Sequence, residues 1–441
     1  PDQALLGVDR FLAAVGARTA YYALLAENPG VVERLVRLFG SSEFLSAFLI
    51  AHPWLLDPLI RSDSASVRKT PERVAAELRE QLVHALDLEE KLAVLRRFKN
   101  EETLRIGVHD LQEELDIDET TRQLSYVAEA CLGGALAIAE EQLRPRYGTP
   151  CEAGGQPATF AVVGMGKLGS RELNYNSDLD VIFLYSAGGE TRSGARSISN
   201  QEYFVKLAQR IITALTTVTA DGAVYAIDTR LRPSGNQGSL VTTGTAFVDY
   251  HRRTAALWER QALLKARAVA GDLPFGERAL AEVRDYMWTL PFTTADLAEI
   301  RRLRARMGEE LARKGGDATR NLKYGPGGLI DVEFLVQAGQ LQRGSRNVPP
   351  EDRPVAPGLR MMKEMGLLTA EEAGALADGY RFLRRLENRL RIVHDQADEA
   401  LPEDPRLLTP LALRMGFAGE GAAEQLLARY REATAAIEKI V

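Results

Sequence analysis

Apolar positions divide the chain into stretches of different period. Over the first 145 residues or so they recur at helical spacing. Val31, Leu35, Leu38 and Phe39 share one face, and Val74, Leu78 and Leu82 share another after a Thr70-Pro71 start signal. Pro29-Gly30, Pro53 and the stretch from Ser62 to Ser66 interrupt the pattern, which predicts a series of short helices. A long amphipathic helix is predicted over 119–143, followed by a turn-rich connection from Pro145 through Gln156. The period then shortens. Residues 158–163 read as a buried strand ending in Gly164, 180–185 as a second, 222–228 as a third and 240–243 as a short fourth. A helix over 201–217 places Phe204, Leu207, Ile211 and Leu215 on one face.

Helical spacing returns after Thr245, with helices predicted over 258–267, 297–313, 329–341 and 371–393 and a glycine-rich loop over 315–328. Leu383, Leu386, Leu390 and Val393 form a bundle-packing stripe, and Glu387 and Arg391 an i,i+4 pair expected on the surface. The fold class is α+β. The expected division is a helical region over 1–115, a domain built on a small mixed sheet over 116–290 and a helical bundle over 291–441.

Composition narrows the class. With 441 residues, 45% hydrophobic and 26% charged, the chain can bury more than one core. No apolar run approaches the roughly 20 residues that span a bilayer, so no membrane association is expected. Cys131 and Cys151 form no CxxC motif and read as buried thiols of a reducing, cytoplasmic compartment. A net charge of −6 disfavours nonspecific nucleic-acid binding. The stretch Leu95 to Ile106 mixes basic and apolar residues and is expected to be a solvated basic helix face with an apolar underside. Pro1 at the start suggests a piece of a longer polypeptide.

The chemistry concentrates in Gly164 to Tyr185, GMGKLGSRELNYNSDLDVIFLY. Gly164-x-Gly166-x-x-Gly169 after a strand matches the dinucleotide-binding fingerprint. A parallel crossover, however, needs a helix of about ten or more residues, and only Ser170 to Ser177 separate Gly169 from Asp178. The next strand should therefore pair antiparallel. Leu168 stands where a Walker A loop needs Ser or Thr, which excludes that motif too. In a strand, Asp178 and Asp180 project to one face, and Asp228 ends a later strand. Such a trio suits two magnesium ions in nucleotidyl transfer. Gly166, Gly169 and Ser170 would let backbone N–H groups approach the phosphates of a triphosphate, with Lys167, Arg230 and Arg232 as countercharges.

At these residues the chain resembles a known family. Gly164-Met165-Gly166-Lys167-Leu168-Gly169, Ser177-Asp178-Leu179-Asp180, Asp228-x-Arg230-Leu231-Arg232-Pro233, Trp258-Glu259 to Lys265-Ala266-Arg267, and Gly325-Pro326-Gly327-Gly328 to Asp331-x-Glu333-Phe334 are similar to the bifunctional glutamine synthetase adenylyltransferase/adenylyl-removing enzymes. The resemblance covers most of the chain and implies a polymerase-beta-like nucleotidyltransferase domain, one of two that full-length members carry. It implies Asp178, Asp180 and Asp228 as catalytic and metal-binding residues, and Gly166, Lys167, Gly169, Ser170, Ser177, Arg230 and Arg232 as nucleotide-binding. It further implies Mg2+ as cofactor, ATP as substrate, a tyrosine of glutamine synthetase as acceptor and a nitrogen-status signal protein as a partner of the full-length enzyme. Pro233-Ser234-Gly235, Glu259-Arg260-Gln261-Ala262 and Gly327 to Glu333 resemble the C-terminal, adenylylating half. Gly164-Met165-Gly166 is a form common in the removing half. One departure is the passage from Leu168-Gly169-Ser170 to Asp178, shorter than is usual in the superfamily. The alternatives are the reverse reaction, phosphorolytic removal of AMP, and a catalytically idle nucleotide-sensing module.

Overall fold

A computed structural model describes residues 2–16, 18–56, 67–219, 221–313, 317–344, 354–394 and 400–441. The break at Ser62 to Ser66, the Gly315-Gly316 end of the glycine-rich loop and the side chain of Val393 lie outside the described residues.

The predicted short helices open the chain as Asp2–Val15, Thr19–Glu27, Pro29–Ser41 and Glu43–Ala51. Their apolar faces bury Phe11, Leu35, Phe39, Leu45 and Leu49 in one cluster. Ser42 caps the fourth helix by accepting from the Leu45 amide at 2.9 Å, and its hydroxyl donates to the Ile392 carbonyl at 2.8 Å, which ties this region to the C-terminal helices. Pro71–His84 begins at the Thr70 cap that the sequence signals. It packs with Leu88–Leu111 and the 31-residue helix Ile117–Tyr147.

The expected solvated basic face is corrected here: Arg96 and Arg105 are buried. Arg96 donates to the Thr217 and Gly222 carbonyls at 2.9 and 3.2 Å, and Arg105 pairs with Glu102 at 2.9 Å. Carbonyls and carboxylates of neighbouring elements replace the water that a helix considered alone would need.

The central sheet contains β2 (Phe160–Gly164), β3 (Leu179–Tyr185), β5 (Ile227–Asp228), β6 (Val241–Thr243) and β7 (Arg267–Gly271), in the order β5-β3-β2-β7 with β6 beside β3. β2 and β3 pair antiparallel, as the short passage between them requires. β5 and β6 run parallel to β3. The third predicted strand contracts to two residues. The helix expected through Arg267 ends at Leu264, and Arg267 opens β7, which pairs antiparallel with β2. In place of the turn-rich connection after residue 145, the long helix runs to Tyr147. β1 (Gly148–Glu152) then pairs with β4 (Gly189–Ser193) in a separate two-stranded sheet.

Both faces of the central sheet are covered. Val162, Phe183, Phe204 and Leu207 pack on one side, and Val163, Ile182, Leu184, Phe247 and Val283 on the other. The alternation along β2 and β3 sets this division.

The C-terminal part contains Thr294–Arg313, Leu329–Arg343, Val355–Glu364, Ala370–His394, Pro405–Arg414 and Ala422–Ile440 around Val332, Leu376, Leu383, Leu386, Leu390 and Leu426. Glu387 is not on its surface. It is 1% exposed, because the Ala370–His394 helix runs between the bundle and the sheet-bearing part. No helix of the described residues is long and apolar enough to cross a membrane.

Candidate active site

β2 delivers the chain into a single helical turn, Gly166–Gly169, whose first residue has φ of +51°. A side chain at Gly166 would be strained by that backbone, and its Cβ would stand 2.7 Å from Asp180 Oδ2. Glycine is needed there to leave room for the carboxylate. Gly169 is equally constrained, since a Cβ would meet the Lys265 carbonyl oxygen at 2.0 Å. The Met165 amide donates to the Asp180 carbonyl at 2.8 Å and fixes the turn against β3. Asn176, with φ of +53°, and Ser177, whose hydroxyl accepts from the Asn174 amide at 3.2 Å, form the sharp entry into β3.

Asp178 stands exposed just before β3, and Asp180 is partly buried within it. Asp228 lies directly opposite Asp180 in the parallel β3–β5 register. Gly166, Lys167, Ser177, Asp178 and Asp180 line one cavity of about 930 Å³. Partial burial, then the like charges of Asp178 and Asp228, push the Asp180 carboxyl up to about 6. Asp228 behaves oppositely. Arg230 donates to it from its backbone amide at 2.8 Å and from Nε at 2.7 Å, and holds its carboxyl below the usual range. Asp228 is not part of the cavity lining, and among the described residues no three acidic, His or Cys side chains form a ready-made metal cage. The backbone thus brings the aspartates together while Arg230 occupies one of them.

The other predicted residues divide. Lys167 reaches across to the bundle, donating from Nζ to Glu387 Oε1 at 2.7 Å; desolvation draws its ammonium down to about 8, against the pull of Glu387. Arg230 stays on Asp228. Arg232 donates to the Thr229 carbonyl at 2.8 Å and the Gly238 carbonyl at 3.3 Å, so it shapes the loop after β5. Ser170 is buried, and its hydroxyl donates to Glu172 at 2.7 Å. Gly169 and Ser170 line a different cavity.

Several lining residues carry charge that sequence reading assigned elsewhere or left without a role. Lys265 is buried at the end of the Leu257–Leu264 helix and donates to Glu333 Oε2 at 2.8 Å. Lys323, Glu333, Arg391 and the half-exposed Trp258 share the same walls. Glu387 organises the cationic side: besides Lys167, it accepts from Arg384 at 2.7 Å and lies 3.5 Å from Arg391. These cations hold its carboxyl well below the usual range despite full burial. Lys265 and Glu333 both stand inside distinctive stretches of sequence; what identifies them as neighbours of Asp180 is the return of β7 beside β2, which places Lys265 against the glycine turn.

A small mixed sheet with acidic residues at one edge, a glycine turn beside them and cations supplied by a covering helical bundle make this an α+β protein with a nucleotidyltransferase-like core. The family model of glutamate-ammonia ligase adenylyltransferase matches residues 32–282, and the chain belongs to that family. Residues 301–441 match the family model of GlnD PII-uridylyltransferase. Among curated proteins, the bifunctional glutamine synthetase adenylyltransferase/adenylyl-removing enzyme of Hahella chejuensis is 35% identical over 90% of this chain and 41% of its own length. Those of Nitrosococcus oceani and Thioalkalivibrio sulfidiphilus are 38% and 37% identical, over 88% and 90% of the chain and 40% and 41% of their own lengths. The chain therefore spans about two fifths of the curated relatives it matches.

Proposed function

We propose that this chain transfers AMP from ATP to a tyrosine hydroxyl of glutamine synthetase, with release of pyrophosphate. The observation that carries the reading is Asp180 in register with Asp228, with Asp178 two residues away, where Asp178 and Asp180 line one cavity together with Lys167, Lys265, Lys323 and Arg391. The raised Asp180 carboxyl supports a cation there, because a divalent ion offsets the desolvation and the like-charge repulsion that raise it. Asp178 and Asp180 would hold magnesium, with Asp228 joining once a phosphate draws Arg230 away. Magnesium prefers few carboxylates and keeps waters, so a preformed cage is not required. Two such ions would supply charge neutralisation at the attacking and leaving oxygens. The chain's own residues do the rest. The Gly166–Gly169 turn lets the triphosphate approach, Lys167, Lys265 and Arg391 offset its charge, and the sheet edge holds the acceptor in line. In this reading residues 116–290 are the catalytic domain. The two family matches, ending at 282 and starting at 301, support a division near 290.

The relatives' name joins two activities, so the direction is tested directly. ATP and magnesium with unmodified synthetase should yield AMP-tyrosine, whereas phosphate with AMP-bearing synthetase should yield little ADP. The opposite pattern assigns the chain to removal. Asp178→Asn should abolish transfer without unfolding the protein; a folded variant that still labels the synthetase sinks the site assignment.

A further inference from the structure

A second cavity, of about 510 Å³, begins where the glycine turn ends. Gly166 and Lys167 line the acidic cavity, and Gly169 to Glu172 line this one. Five arginines face it, Arg122, Arg171, Arg267, Arg360 and Arg381, against two carboxylates, Asp118 and Glu172. Three of the arginines are anchored from behind: Arg122 by Glu119, and Arg171 and Arg267 by Glu129. Arg360 and Arg381, from the helices Val355–Glu364 and Ala370–His394, are exposed; neither is within salt-bridge distance of a carboxylate among the described residues, although Arg381 is near enough to Asp118 to oppose the rise that burial imposes on its carboxyl. Arg171 also sits at φ of +59°, with its guanidinium 5.0 Å over the Tyr126 ring, so a strained backbone presents a pre-positioned side chain.

An excess of guanidinium groups converging on a concave site recognises oxyanions, because the planar fork matches carboxylate and phosphate oxygens in pairs. A cavity of this size suits a small molecule. We propose that it binds a small polyanion, a metabolite carrying phosphate groups or paired carboxylates, as an effector. The shared wall supplies the coupling. Glu172 accepts from Ser170 at 2.7 Å and from the Val355 amide at 3.4 Å, and its carboxylate lies 3.7 Å from Lys265 Nζ, which lines the acidic cavity. An anion beside Glu172 alters the balance on Lys265, and with it the affinity for nucleotide. By linkage, nucleotide changes anion affinity by the same factor.

The test is calorimetry on the protein free of divalent cations, with inorganic phosphate, pyrophosphate and succinate as separate probes. At least one is expected to bind with a Kd below about 1 mM, and the double variant Arg360→Glu/Arg381→Glu should weaken it about tenfold or more. The neutral pair Arg360→Gln/Arg381→Gln should fall between. Both arginines are exposed, so melting temperature and magnesium-ATP binding should stay as in the parent. The phosphate and succinate arms distinguish the two ligand chemistries. The proposal is overturned if no probe binds up to about 10 mM, or if the anion binds the double variant as tightly as the parent, which places it in the acidic cavity. The effector role rests on the ATP reading of that cavity and is read separately: the bound probe should shift ATP affinity at least twofold, a shift the double variant abolishes. Anion binding without that shift removes the effector role, whereas loss of ATP binding altogether counts against the proposed function.

Discussion

Replacing Asp180 by asparagine should stabilise the cation-free protein while destroying its activity. The Asp180 carboxyl, raised from 3.8 to about 6, binds its proton more tightly in the folded chain than in the unfolded one. Such a group favours folding fully below pH 4, and the contribution is lost as pH rises through 6. Above pH 7 the ionised carboxylate therefore costs the fold about 3 kcal/mol, because each tenfold change in proton affinity corresponds to about 1.4 kcal/mol. Asparagine removes the charge, although its amide must still be desolvated, which leaves a net gain of roughly 1–2 kcal/mol. Urea unfolding of parent and variant at several pH values in chelator reads this out. The variant should trail the parent by about 1–2 kcal/mol near pH 4, cross it as pH rises, and lead above pH 7. Magnesium should close the gap by stabilising the parent alone. A variant less stable than the parent at pH 8, or one that gains equally from magnesium, would refute the view of Asp180 as a carboxylate destabilised by burial and by its acidic neighbours.

Three further predictions test the surroundings. His251 is buried against Phe247 and Tyr250 with neither ring nitrogen hydrogen-bonded, and burial draws it down to about 4. Its neutral form supports the fold fully above pH 6.5, and about 3 kcal/mol is lost as pH falls through 4, so His251→Phe should flatten the acid limb of the stability curve measured by chemical denaturation. Gly169→Ala forces a methyl group to within 2.0 Å of the Lys265 carbonyl oxygen and 2.7 Å of that of Gly164. It should cost about 3 kcal/mol and most of the activity, checked by unfolding and AMP incorporation. Glu387→Gln leaves Lys167, Arg384 and Arg391 without their shared anion and should destabilise by about 3–5 kcal/mol; a change under about 1 kcal/mol in urea would show that water reaches the cluster.

The contrast between what can and cannot be read in the sequence follows from chain separation. β2, the glycine turn and β3 are contiguous, and the eight residues from Ser170 to Ser177 are enough to exclude a crossover helix and require antiparallel pairing. Strand periodicity likewise marks Asp180 and a strand end at Asp228, but the parallel register that sets the two opposite each other is a product of the fold. Reading fails where depth or direction is set from elsewhere. β7 is Arg-Ala-Val-Ala-Gly, too rich in alanine to announce a strand, and it forms because β2 offers an open edge. Proximity to Gly169 suggests that Ser170 shares the cavity of the aspartates, but the turn carries it round to the second cavity. Glu387 and Arg391 have the spacing of a surface pair, and only the elements packed over them reveal a buried one. The same reasoning explains the charge balance of the site. Its acids come from strand ends close in sequence, while Lys265 and Glu387 reach it from far along the chain, Glu387 being 220 residues from Lys167. The cationic wall is therefore a tertiary product. Any movement of the C-terminal helices relative to the sheet must change the charge opposing Asp180 and the anchoring of the glycine turn together, because one buried carboxylate, Glu387, holds Lys167 of the turn and Arg391 of the wall at once.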